Sequence, residues 1–445
     1  MSFSDLNLKK PLLNAVKEAG YNQPTAIQEK AFAPVMSGKD VIGIAQTGTG
    51  KTVAYLLPTL NLWKFSKDIF PQIIIIVPTR ELVAQVVDEA IRLTRYMNVI
   101  VQGVYGGANI NTQAQAVENG LDLLVGTPGR VLDLILRGSL KLKNVRHLVI
   151  DEVDETLSEG FRPQLNRIFD YLPEKRQNIM FSATLSEEVE EFVTANFQVP
   201  IKIEAAPSGT PLENISQSVY AVPNFTTKLN LLHELMQNAD LSKVLCFTSS
   251  RFMADELFSR IQPLLGEDVA VIHSNKAQNT RFRTVNDFEE GKFRLLVATD
   301  LIARGIDVDN VSHVINFDLP EDEEDYLHRI GRTGRQQRKG IALSFVTPKE
   351  MPKLEAIEAY LKMKPEQLAI PENVEISSET LEFEEDKFVL PEIRLKHDKI
   401  EEGGGAFHEK ADKNKKTNVR YDHKSAMQQK YGKRKTRGQK PRGKK

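Results

Sequence analysis

Ala45-Gln46-Thr47-Gly48-Thr49-Gly50-Lys51-Thr52 follows a short apolar run, Val41 to Ala45, and precedes a second apolar stretch, so it reads as strand, glycine-rich turn and helix. That context suits a phosphate-binding loop. Glycines let the backbone curl so that successive N–H groups point at one anion, and the helix N-terminus adds partial positive charge. Lys51 would reach the β- and γ-phosphates of a nucleotide, and the Thr52 hydroxyl would ligate Mg2+. The general pattern begins with glycine; here Ala45 takes that place.

Outward from the loop, short apolar runs alternate with amphipathic helical stretches. Strands are expected at Val41–Ala45, Ile73–Val77, Val99–Val104, Leu121–Val125, His147–Ile150 and Ile179–Ser182. A second series falls at Val244–Phe247, Val269–His273, Leu295–Thr299, His313–Phe317 and Ala342–Val346. Continuous β-branched runs separated by helices indicate parallel sheets covered on both faces. The Pro- and Gly-containing segment around Ala205–Pro211 parts the two series. The expected organisation is α/β: an ATP-binding domain over 1–206, a second α/β domain over 212–370, and a tail over 371–445. Only the first domain carries a phosphate loop, which leaves the second free to act as a clamp over bound nucleotide.

Composition bounds the setting. The chain has 445 residues, 41% hydrophobic and 27% charged, with a net charge of −1. A single cysteine, Cys246, excludes a disulfide framework and suits a reducing cytoplasmic compartment. The start is not a signal peptide, and the longest aliphatic run, Ile73 to Val77, is too short to cross a bilayer, so a soluble protein with no membrane partner is expected. The near-zero charge is uneven. Residues 411–445 hold 14 Lys/Arg against Asp412 and Asp422, a net +12, so residues 1–410 carry −13. Such a basic, apolar-poor tail buries too little to fold alone; it reads as disordered, either solubilising or RNA-contacting. Residues 371–402, with eleven acids and four bases, read as a solvated linker.

Leu148-Val149-Ile150-Asp151-Glu152-Val153-Asp154 is an apolar strand ending in carboxylates, the arrangement that holds Mg2+ at the C-terminal edge of a sheet. Asp151 would hold the ion and Glu152 would orient or deprotonate an attacking water. His328-Arg329-Ile330-Gly331-Arg332-Thr333-Gly334-Arg335 places arginines three apart, on one helical face, where permanent charge can meet a transferring phosphoryl group. One cysteine and scattered histidines leave no zinc-type cluster.

With these motifs in order, the chain resembles the DEAD-box ATP-dependent RNA helicases, bacterial type, of superfamily 2. The resemblance rests on Phe3 with Gly20 to Gln28, on Ala45 to Thr52, and on Pro78-Thr79-Arg80-Glu81-Leu82. It continues through Gly106-Gly107, Thr127 to Arg130, Asp151 to Asp154, Ser182-Ala183-Thr184, Gln278 to Arg281, Ala298 to Asp307 and His328 to Arg335. An alanine at position 45 is usual in that family, whereas Val153 stands where its name-giving motif has alanine. The resemblance implies two RecA-like parallel-sheet domains in tandem. It implies ATP and Mg2+ as cofactors, with Tyr21, Gln23, Gln28, Gln46, Thr47, Gly48, Thr49, Gly50, Lys51, Thr52 and Asp307 on the nucleotide. Gln28 would read the adenine edge through its amide, and Tyr21 would stack on the base. Catalysis would fall to Lys51, Asp151, Glu152, Arg332 and Arg335, with metal at Thr52 and Asp151. Ser182 and Thr184 would couple nucleotide state to RNA grip. Arg80, Gly107, Thr127, Arg130, Arg251, Arg281 and Thr299 would contact the backbone of RNA, single-stranded or duplex, with little sequence preference. Local duplex unwinding follows, in ribosomal-precursor or messenger ribonucleoproteins. An ATP-gated RNA clamp or assembly factor with weak unwinding keeps the same motifs.

Overall fold

The computed structural model describes residues 2–384 apart from 46–47, 159, 206–213, 301–310 and 335–338. Gln46, Thr47, Asp307, Arg335 and the tail from 385 onward lie outside the described residues. Two seven-stranded sheets, parallel throughout, organise the chain.

The first sheet comprises β1 (Val41–Ile44), β2 (Ile73–Ile76), β3 (Val101–Val104), β4 (Leu123–Gly126), β5 (His147–Ile150), β6 (Gln177–Ser182) and β7 (Ile201–Glu204), in the order β3-β4-β2-β5-β6-β1-β7. Its strands are apolar on both faces because helices cover both. In β2, Ile73 and Ile75 join one apolar cluster with Leu56 and Leu60, while Ile74 and Ile76 join another with Leu134 and Leu165. All four are fully buried, each stabilising the fold by roughly 1.5–3 kcal/mol.

The second sheet comprises β8 (Ile215–Ala221), β9 (Val244–Thr248), β10 (Val269–Ile272), β11 (Leu295–Thr299), β12 (His313–Asn316), β13 (Gly340–Val346) and β14 (Glu366–Leu368), in the order β10-β11-β9-β12-β13-β8-β14. Cys246 lies wholly inside, in one cluster with Val297 and Phe317. Burial pushes its thiol far above the usual range, so it acts as a small apolar side chain.

All eleven strands expected from the sequence are present. β7, β8 and β14 are additional, and each lies at or next to a sheet edge. Residues 371–384, which the sequence reading assigns to a solvated linker, run along the second domain instead. Val374 is buried there, Phe383 packs edge-on against Phe225 and Phe252, and Glu384 accepts the Phe225 N–H at 2.7 Å. Apolar residues spaced among the acids supply that adhesion. Among the described residues no helix is long and apolar enough to cross a membrane.

Candidate functional site

Topology alone assembles the centre. β6 lies between β1 and β5, so the loop after β1, Ser182 at the end of β6 and Asp151 after β5 emerge side by side. The Ala45 N–H donates to the Ser182 carbonyl at 3.0 Å. Two strand spacings put the two outer loops about 10 Å apart.

Gly50 precedes the helix Lys51–Leu62 with φ +90°, a left-handed conformation that glycine takes without steric cost. A side chain there would collide with Gln28. Lys51 is buried, and its ammonium has no hydrogen-bond partner among the described residues. It faces Asp151, Glu152 and Asp154. A buried cation without a hydrogen-bond partner, beside curled backbone at a helix N-terminus, has the chemistry to receive a phosphate oxygen.

The carboxylates behave differently although they are neighbours. Burial raises the Asp151 carboxyl, against the pull of Lys51. Burial likewise raises Glu152, to about 7, with Lys51 opposing, Asp151 adding to the rise and Arg332 of the second domain opposing. Glu152 also has φ +48°, backbone strain of the kind kept at functional sites. Its Oε2 has no hydrogen-bond partner among the described residues. Asp154 goes the other way. Burial pushes it up, but His328, Lys51, the Ser182 hydroxyl and backbone N–H groups outweigh burial and lower it. The Tyr55 hydroxyl faces Asp151 and Thr52.

Asp154 is the functional residue that the sequence reading leaves without a role. Its Oδ2 accepts the N–H of Ala183 and of Thr184, each at 3.0 Å, and the Thr184 hydroxyl lies 3.2 Å away. The same hydroxyl lies 3.1 Å from Glu324 Oε2 in the helix Glu323–Ile330 of the second domain. Thr184 is therefore a junction between the phosphate site and the other domain. Arg329, also unassigned, is 1% exposed. Its Nε and Nη2 donate to Asp300 at 2.5 and 2.8 Å, and its Nη1 donates to the Asp318 carbonyl at 2.6 Å. It anchors the helix whose end presents Arg332. The signal for both residues lay inside motifs already quoted.

Two of the three residues read as adenine contacts are tied to the protein. Gln28 Oε1 accepts the Thr25 N–H at 3.0 Å, and Nε2 donates to the Gly50 carbonyl at 3.1 Å. One donor and one acceptor site of the amide remain. Tyr21 packs against Phe3 with ring centroids 6.3 Å apart and donates to Glu89 at 2.8 Å. Gln23 is exposed.

The residues read as RNA contacts divide. Arg80 opens the helix Arg80–Leu93 and lies over Gly107, whose φ of +81° and missing side chain make room. Thr127 stands at the N-cap position of the helix Pro128–Leu136 without a side-chain capping bond, and Thr299 ends β11. Arg130 donates to the Ala108 carbonyl at 3.1 Å and to Gln113 at 2.7 Å, holding the glycine loop in place. Arg251 donates to Asn275 at 2.7 Å. Arg281 forms an ion pair with Glu81 of the first domain. His273 pairs with Asp255 at 2.9 Å, as a strand-end histidine.

Divalent metal fits this chemistry. Thr52 and Asp151 offer hard oxygen donors, and among the described residues no three carboxylates or imidazoles converge as an all-protein cage. A site with few protein oxygens suits Mg2+, which keeps waters and takes phosphate oxygens.

Comparison with known proteins agrees with this arrangement. The DEAD/DEAH box helicase profile matches residues 25–192, and the helicase conserved C-terminal domain matches 227–337. RNA helicase CrhR of Synechocystis is 38% identical over 381 residues, 86% of this chain and 77% of that protein. ATP-dependent RNA helicase eIF4A of Chaetomium globosum is 38% identical over 374 residues, 84% of this chain and 93% of that protein. The structure of S. cerevisiae Dbp5 bound to RNA and ADP BeF3 superposes with a TM-score of 0.76 at 30% identity, covering 83% of this chain and 96% of that one.

Proposed function

The chain belongs to the DEAD-box family of ATP-dependent RNA helicases, and from that premise we propose how its residues couple ATP to RNA. It is an ATP hydrolase that unwinds RNA. ATP binds the first domain, with Lys51 and the turn around Gly48–Gly50 on its phosphates and Gln28 at the base. Thr52 and Asp151 would hold Mg2+, which would offset phosphate charge. Glu152 takes the proton of the attacking water, a role suited to a carboxyl buried enough to titrate near neutrality. Arg332, joined by Arg335, brings positive charge to the phosphoryl group from the opposite domain. The contact of Thr184 with Glu324 at 3.1 Å carries this reading, because it joins the carboxylate cluster of the first domain to the arginine-bearing helix region of the second, whose Arg332 acts on Glu152.

RNA lies across both domains on Arg80, Gly107, Thr127, Arg251 and Thr299. Closure favours a single strand that fits the joined surface and destabilises an adjacent duplex by that differential affinity. Thr184, held by Asp154 and touching Glu324, transmits the nucleotide state. Contacts to sugar and phosphate give little sequence preference. The single buried thiol and the lack of a cystine framework support a cytoplasmic setting.

The test compares ATP hydrolysis without nucleic acid, with single-stranded RNA and with DNA of the same sequence, alongside duplex separation. RNA is expected to stimulate turnover and DNA is not; equal stimulation by DNA refutes the RNA assignment. In Glu152→Gln, turnover should fall at least about 100-fold while ATP-dependent RNA binding persists. Unchanged turnover refutes the role of Glu152.

A further inference from the structure

The connection from the helix Pro128–Leu136 to β5 runs Arg137-Gly138-Ser139-Leu140-Lys141-Leu142-Lys143-Asn144-Val145-Arg146, and no carboxylate occurs from residue 134 to 150. Leu140, Leu142 and Val145 are buried, which leaves Arg137, Lys141, Lys143 and Arg146 exposed. A second loop, residues 63–72, lies against this one. The Arg146 N–H donates to the Gln72 carbonyl at 2.8 Å, and the Asn144 amide donates to Asp68 at 3.0 Å. The Lys143 and Lys141 ammoniums lie 4.2 and 5.9 Å from the centre of the Phe70 ring. The second loop is also fixed from within. Its Lys64 carbonyl accepts the Gln72 amide at 2.8 Å, and its Ile69 carbonyl accepts the Leu121 N–H at 3.2 Å. It presents Lys64, Lys67 and Phe65, the last 69% exposed. Lys9, which donates to the Trp63 carbonyl at 2.7 Å, adds a cation whose charge Lys64 opposes.

We propose that this patch is a second RNA site, on which the first domain holds single strand that extends beyond the seam between the domains. None of Lys64, Lys67, Lys141, Lys143 and Arg146 pairs with a carboxylate among the described residues. Asp68, the one acid of the two loops, is taken by Asn144. In a stretch of chain carrying −13, an uncompensated cationic cluster of this kind is a surface for a polyanion. An exposed aromatic face among the cations favours single-stranded nucleic acid, because every base can stack on it while lysines follow the phosphates. Position fits the same ligand. The patch lies at the start of β2 and β5, whereas Arg80 and Thr127 follow the far ends of β2 and β4. These strands are four residues long, about 13 Å. A strand leaving the seam therefore reaches the patch by running along the side of one domain. All the patch residues belong to the first domain, so the grip does not depend on closure or on nucleotide. Point charges and one stacking ring give little sequence preference.

The test uses the full chain and two fluorescent oligouridylates, a short one sized to the seam and one several times longer. The variants are Lys141→Gln with Lys143→Gln, and separately Phe65→Leu; all three side chains lie at the surface, and urea unfolding followed by Trp63 fluorescence checks the fold. The basic tail is present throughout, so its contribution cancels. Without nucleotide, the lysine variant should bind the long strand at least about tenfold more weakly at 0.1 M salt, and its slope of log K against log salt should shrink by about 1.4. Phe65→Leu should weaken the long strand about tenfold with the slope unchanged. Binding of the short strand with a non-hydrolysable ATP analogue should stay within about twofold of the wild type in both variants. A long strand carrying 4-thiouridine should photocrosslink within residues 64–70. Long-strand affinity and slope unchanged in the lysine variant, or crosslinks confined to other segments, overturn the site. A Phe-containing oligoglutamate that binds the wild type and not the lysine variant, with RNA binding unaltered, overturns the assignment to RNA in favour of an acidic peptide. This inference rests on RNA as the ligand of the chain. A wild type that fails to hold the short strand with the analogue refutes the seam reading, while patch-dependent binding of the long strand still supports the second site.

Discussion

Asp154 offers the sharpest perturbation, because one side chain there serves several buried groups. Its Oδ2 accepts from Ala183 N and Thr184 N and lies within reach of the Thr184 hydroxyl, while Oδ1 accepts the Glu155 N–H at 3.1 Å. Asp154→Ala leaves three buried N–H donors without that acceptor. Each costs roughly 1–3 kcal/mol if nothing replaces it, and water entering the vacated space recovers part of that. A net loss of about 3–5 kcal/mol follows. That is a large share of the roughly 5–15 kcal/mol that holds a domain together.

The chain provides its own probe for this loss. Its one tryptophan, Trp63, is buried in the first domain with its indole N–H on Asp122 at 3.2 Å. Urea unfolding followed by tryptophan fluorescence therefore reports that domain. Asp154→Asn keeps an acceptor for the Ala183 and Thr184 N–H groups but turns an NH2 toward the Glu155 N–H and removes the charge facing His328 and Lys51. It should cost about half as much stability while lowering RNA-stimulated ATP turnover at least tenfold, since Thr184 loses its fixed position against Glu324. The reasoning is refuted if Asp154→Ala unfolds within about 1 kcal/mol of the wild type. It is equally refuted if Asp154→Asn retains full RNA-stimulated turnover.

Two further outcomes follow from buried polar groups. Gln28→Ala should lower the preference for ATP over GTP, measured as a ratio of kcat/KM, by about tenfold, worth about 1.4 kcal/mol; an equal loss for both nucleotides would show that Gln28 only ties Thr25 to Gly50. In the second domain the buried Lys228 ammonium pairs with Asp318 at 3.2 Å and Glu350 at 2.7 Å. Burial pushes Asp318 up, yet Lys228 and the N–H and hydroxyl of Ser249 outweigh burial and hold it below 3.8. A depressed carboxyl stabilises the fold above 3.8, and that stability disappears as pH falls through the folded value. Lys228→Met should cost about 3–5 kcal/mol at pH 7, and far-UV urea titrations should show this deficit shrinking at pH 4 as the stranded carboxylates take up protons; a deficit independent of pH would contradict the electrostatic account.

What the sequence made legible was whatever a parallel sheet assembles automatically. Apolar runs name the strands, and the ends of adjacent strands fall together, so Lys51, Asp151 and Ser182 could be read as one site before any contact was known. β8 escaped because Gln217 and Ser218 interrupt its apolar run. Both are buried, and the Gln217 amide is satisfied by the Tyr326 hydroxyl, more than a hundred residues away. β14 has three residues and little burial, so backbone pairing with β8 is its main support. Arg130 and Arg281 show the same boundary at the level of function. An arginine in sequence declares five donors and a fixed charge but no partner. Arg130 meets the Ala108 carbonyl and Arg281 meets Glu81, both of them protein groups brought near by the fold. In a two-domain clamp such arginines must hold the moving surface together as well as grip the ligand. The first task uses buried carboxylates and carbonyls, so burial beside an acceptor separates it from the second, and a sequence motif cannot.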